Sequence, residues 1–137
     1  MSGIEIENRK MDPKVMLSTL WIVVMINMLY ADVLGLHIPG TLEEVAKTAG
    51  ETPIPLLMLG GAILLELPLL MIILSRVLKY RVNRWVNIIV AIITIVYVVG
   101  AGATYPHYFF IAGIEVACML LVIVTALKWQ LPVESRN

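Results

Sequence analysis

The sequence predicts an all-α integral membrane protein: a four-helix bundle with both termini cytoplasmic and a short surface helix in the first outer loop. Three observations predict it. The 137-residue chain is 60% hydrophobic and 15% charged, with a mean hydropathy of +0.91, whereas a soluble domain carries about 25% charged residues. The apolar residues are gathered into four long runs, each near the ~20 residues that a helix needs to cross a bilayer core of ~30 Å. The cations fall almost wholly on one side of those runs.

Residues 1–12 are polar and mixed in charge (Glu5, Glu7, Arg9, Lys10, Asp12) and read as a disordered tail. Pro13 then sits where the first turn of a helix tolerates proline, and the first span covers about 15–36. Its apolar stretch is too long for a cleavable signal peptide, and no small-x-small cleavage site follows. In the connection 37–53, Thr41-Leu-Glu-Glu44 has the form of a capping box and Gly50 that of a helix stop. A short helix lying at the membrane surface is expected there. The second span covers about 54–78, and Pro68 within it removes a backbone donor and should kink the helix around Glu66. A basic turn, Arg76 to Arg84, leads to the third span at about 85–103. A hinge at 104–107 opens the fourth, at about 106–129, so that residues 1–137 form a single four-span domain.

Of the ten Lys and Arg residues, only Lys47 lies on the far side of the spans. By the positive-inside rule, both termini and the basic turn are cytoplasmic in a multi-pass protein of the cell membrane. The basic turn suits anionic lipid better than nucleic acid.

Three carboxylates interrupt the apolar runs with no Lys or Arg at comparable depth: Asp32, Glu66 and Glu115. An acid in hydrocarbon costs about 2.5–3.5 kcal/mol on insertion scales, which makes such positions candidates for function. Counting at 1.5 Å per residue puts Asp32 ~6 Å, Glu115 ~14 Å and Glu66 ~18 Å below the outer face. On the third span Asn83, Asn87, Thr94 and Tyr97 recur at helical spacing and should share one face. They read either as interhelical hydrogen bonding or, for Tyr97 alone, as part of a polar outer cavity. Gly113 and Ala117 flank Glu115, and Gly60-Gly61-Ala62 precedes Glu66. Both arrangements permit close helix approach, which would let Glu66 and Glu115 share a proton.

Other chemistries lack their residues. Cys118 is the only cysteine, so no internal disulfide or Cys-x-x-Cys site exists, and packing is its expected role. His37 and His107 fall at the outer boundary and make no metal or haem set. There is no phosphate-binding glycine loop, no HExxH and no nucleophile elbow. Trp21, Tyr30, Trp85, Tyr105, Tyr108 and Trp129 lie mostly near span ends, as aromatic belts do.

Trp21, Leu29-Tyr-Ala-Asp32, Ile38-Pro-Gly40, Glu66-Leu-Pro68, Leu74-Ser75, Val82-Asn-Arg-Trp-Val-Asn87, Tyr108 and Glu115 together resemble an uncharacterised family of small prokaryotic four-helix membrane proteins, a domain of unknown function. The resemblance covers most of residues 13–129. It implies the four-span architecture and supplies no activity. The arrangement is more loosely similar to DoxX-type four-helix proteins, linked to quinone and thiol redox systems, although this chain has no cysteine pair. It also matches in size the small multidrug transporters, which use a membrane-embedded Glu in a dimer but carry it on the first span.

The expected function is binding of a proton or a small cationic or amphiphilic ligand by Glu66, Glu115 and Asp32, with Tyr97 and Tyr108 beside them, in service of transport by a homodimer. Two alternatives stand beside it. One is a membrane enzyme or redox accessory subunit acting on a lipid or quinone-like molecule, with two carboxyls as acid and base. The other is a structural accessory subunit whose acids join helices. These residues name no cofactor.

Overall fold

The computed structural model describes residues 10–100 and 105–131. It is all-α, with five helices: α1 (Pro13–Leu36), α2 (Thr41–Ala49), α3 (Ile54–Val77), α4 (Tyr80–Gly100) and α5 (Pro106–Lys128). Four of them are long and apolar enough to cross a membrane. At 21 to 24 residues each they rise ~32–36 Å, matched to a hydrocarbon core of ~30 Å. Residues 1–9 of the expected tail, and 101–104 at the end of the third span and start of the hinge, lie outside the described residues.

Local chemistry sets the ends. The Asp12 carboxylate accepts the Lys14 backbone N–H at 2.9 Å, with Pro13 opening α1. Gly50 ends α2 at φ 56°, and Gly40 precedes it at φ 88°, conformations that side chains with a Cβ disfavour. The expected capping box at Thr41 does not form. Thr41 is already helical, and its hydroxyl donates to the carbonyls of Gly35 and Ile38, each at 2.9 Å, tying α2 to the end of α1. Pro68 lies inside an unbroken α3.

The expected basic turn shrinks to Leu78 and Lys79, so Arg81 and Arg84 belong to α4. The reason is an anchor outside the apolar run. The Tyr80 ring meets Trp129 edge-on at 5.0 Å and its hydroxyl donates to the Trp129 carbonyl at 2.7 Å, which holds the first turn of α4 against the end of α5.

α1 packs between α3 and α5, and α5 between α1 and α4. α3 and α4 touch more sparingly and close the ring. Cross-helix hydrogen bonds gather the start of α1, the end of α3, the start of α4 and the end of α5 at one pole, together with Lys14, Arg76, Lys79, Arg81, Arg84 and Lys128. Asn87 is the centre of this basic end. Its carbonyl accepts the Trp21 indole N–H at 2.7 Å and the Ser75 hydroxyl at 3.1 Å, and its amide donates to the Asn83 side chain at 2.6 Å. Asn83 in turn donates to the Ser75 carbonyl at 2.6 Å, one of the carbonyls that the end of a helix leaves free. The Ser18 hydroxyl donates to the Ile72 carbonyl at 2.8 Å and accepts from Arg76 at 3.0 Å. Trp21, Ser75, Asn83 and Asn87 are all fully buried. Trp21 and Trp129 are therefore core residues and not belt residues, whereas Tyr30 and Trp85 stand exposed.

The buried residues of α1 lie between Leu17 and Met28, and those of α3 are Pro68, Met71 and Ser75. The pole opposite the basic end is thus the looser one. Because Asn87 holds three helices, Asn87→Ala should orphan the Trp21 and Ser75 donors at a cost of about 1–3 kcal/mol for each buried group left unpaired. Thr94, which bonds only back to Val90 at 2.7 Å, should tolerate Val far better. Thermal denaturation of the two variants in detergent checks the ranking.

Candidate functional site

Where α3 leaves the bundle, a cavity of about 910 Å³ opens between the helices at the pole opposite the basic end. Its walls are mostly apolar, supplied by residues such as Met28, Leu57, Leu65 and Val98. Four of the residues that the sequence nominates line it: Asp32 from α1, Tyr97 from α4, and Tyr108 and Glu115 from α5. No Lys, Arg or His is among the described lining residues, and Asp32 and Glu115 are the carboxyl groups among them.

The two acids differ in setting. Asp32 sits on the exposed part of the wall. Glu115 is 3% exposed, and its Oε1 has no hydrogen-bond partner among the described residues. Buried polar atoms are nearly always paired, and an orphan asks for an explanation. Here it is a carboxylate oxygen held ready at the edge of a cavity. Tyr108 spends its hydroxyl proton on the Val98 carbonyl at 2.9 Å, so its oxygen offers only lone pairs. Carboxylates and a hydroxyl acting as acceptor favour a ligand that donates hydrogen bonds or carries positive charge.

Glu66 is not brought to this site. It is exposed and absent from the cavity wall, so the expected sharing of a proton with Glu115 has no geometry in this chain. The acid that does accompany Glu115 is Asp32. The glycines expected to draw helices together do not: a Cβ on Gly60, Gly61 or Gly113 would meet nothing within 4 Å. Gly60 and Gly61 instead face the cavity. Asn83, Asn87 and Thr94 are buried away from it in the helix contacts. His37 bonds locally, its Nδ1 lying 2.7 Å from the Val33 carbonyl.

Sequence reasoning missed the part played by the connection between α1 and α3, which holds α2. Thr41, Leu42, Val45 and Thr52 complete the rim of the cavity. The signal was present in the spacing of Leu42, Val45 and Ala49, an apolar stripe on an otherwise polar short helix.

If the cavity acids served as interhelical glue, removing Glu115 would loosen the bundle. An unpaired buried group instead costs about 1–3 kcal/mol, so Glu115→Met should leave the melting temperature unchanged or raise it. A fall comparable with that of Asn87→Ala would contradict the assignment.

Comparison with known proteins adds the lineage. A family model described as a family of unknown function (DUF6326) matches residues 4–134. No curated protein and no solved structure matches the chain, and no similarity to DoxX-type proteins is shown. The match spans nearly the whole sequence, and the chain belongs to this family of unknown function, DUF6326.

Proposed function

We propose that this is an integral protein of the cell membrane, with its basic end and both termini in the cytoplasm, that binds a small cationic amphiphile through Asp32 and Glu115. The observation that carries the reading is the orphaned Oε1 of Glu115, buried beside a cavity whose described lining holds two carboxyl groups and no Lys, Arg or His. A ligand cation would supply the counter-charge that the lining lacks, and the apolar walls would receive its hydrocarbon part. The volume of about 910 Å³ lies in the ~300–1,000 Å³ range of small-molecule sites. Tyr108 would accept from the ligand, and Tyr97 would border it. Orientation is supported by the gathering of Lys14, Arg76, Lys79, Arg81, Arg84 and Lys128 at one pole.

The probe is tetraphenylphosphonium, a lipophilic cation, titrated calorimetrically into purified protein. A cation ~6 Å from a carboxylate at an effective dielectric of about 20 is attracted by roughly 3 kcal/mol before desolvation, so Glu115→Gln and Asp32→Asn should each weaken binding by about ten- to a hundredfold. Tetraphenylmethane derivatives of similar size without charge should be insensitive to both. Affinity for the cation unchanged in both variants, in protein that melts like wild type, would remove the proposal.

Topology has its own check in a Cys118→Ser background. Glu43→Cys on α2 should react with an impermeant maleimide on intact cells, and Lys79→Cys only after permeabilisation. The reverse pattern would invert the orientation.

A further inference from the structure

The cavity leaves Glu66 unexplained. This residue stands midway along the 24-residue α3, where a membrane-spanning helix passes the bilayer midplane. The inward face of α3 is marked by its buried residues, Pro68, Met71 and Ser75. At ~100° per residue, Glu66 is turned ~160° away from Pro68 and looks outward. Its neighbours on that face, Leu59, Ile63, Leu70 and Ile73, are 48–64% exposed. The chain thus presents a carboxyl group, ringed by aliphatic side chains, to the middle of the surrounding hydrocarbon.

Ionisable side chains at that depth face protein or water and pair with another group. Within this chain nothing at that depth offers a basic mate. Among the described residues the cations of the spanning helices, Lys14, Arg76, Arg81, Arg84 and Lys128, all lie near helix ends at the basic pole. A second copy inserted with the same topology does offer a mate. Its Glu66 lies at the same depth, and a two-fold axis along the membrane normal brings the two together without any change of fold. A carboxylic acid is self-complementary, since its O–H donates while its C=O accepts. α3 is also the least covered of the four long helices: 11% of its apolar window is buried, against 22–39% in the others.

We infer that the outward face of α3 is the interface of a homodimer, in which the Glu66 side chains of two copies hydrogen-bond to each other across the two-fold axis. The contact is isologous and closes on itself, the commonest form of small assembly. It does not rest on the ligand reading, because Glu66 is no part of the cavity wall.

The test uses the full chain in native membranes, with Cys118→Ser as background and Glu66 intact. Ile63→Cys and Leu70→Cys flank the proposed contact. Ile89→Cys and Ile93→Cys, exposed at similar depth on α4, are the controls. Oxidation with copper phenanthroline should give disulfide-linked dimers at 63 and 70, where the two Cα atoms must come within ~7 Å, and none at 89 and 93. In a second measurement, photobleaching steps are counted in dilute liposomes. Glu66→Leu should lower the dimerisation constant about tenfold, roughly 1.4 kcal/mol, whereas Glu66→Gln, which still donates and accepts, should stay near wild type. Equal cross-linking on α4, cross-links only to another protein, or a Glu66→Leu variant that dimerises like wild type would each overturn the inference.

Discussion

The indole of Trp21 and the hydroxyl of Ser75 donate to Asn87, Asn87 donates to the side-chain oxygen of Asn83, and the shape of the bundle follows from that convergence. Between helices in a hydrocarbon solvent, apolar side chains gain little by choosing one neighbour over another, so packing and buried hydrogen bonds decide which faces meet. The hub joins α1, α3 and α4 at the basic pole, and Tyr80 brings in α5 through Trp129. α3 is then fixed from Pro68 to its end, while its first half contributes no buried residue. The cavity is the space that this one-sided fixing leaves.

The division separates two kinds of polar residue. Those at the basic end are satisfied and hold the fold. Those at the opposite end are placed in an apolar wall with capacity to spare, Glu115 most plainly. A polar group that stabilises nothing within the chain is kept more naturally for something that visits it. Glu66 makes a third case, since its surroundings are neither bundle nor cavity but the outside of the helix.

Much of this was legible in the sequence. The four long apolar helices, the short helix between the first two and the polar stripe of α4 all follow from hydropathy and spacing, because Asn83, Asn87 and Thr94 mark one face against an apolar background and that face is buried. What could not be read was azimuth on α3. That helix is apolar all round, so hydropathy identifies a long apolar helix without saying which side meets the bundle, and position along the chain alone groups Glu66 with Glu115. Trp21 misled for a related reason: an indole near a span end suits the interface or a buried acceptor equally, and only Asn87 on another helix decides between them. Glycines next to the acids suggested close helix contacts, but small residues permit approach without requiring it, and Gly113 faces open space.

The central claim is that the carboxyl group of Glu115 meets a bound cation. Infrared difference spectroscopy reads that group directly. Spectra of the purified protein would be recorded before and after addition of tetraphenylphosphonium, in wild type and in Glu115→Gln. The account predicts a carboxyl band that changes on addition in wild type and is missing from the variant's difference spectrum. A carboxyl region that stays flat in wild type while the probe binds would place the ligand elsewhere and contradict the account.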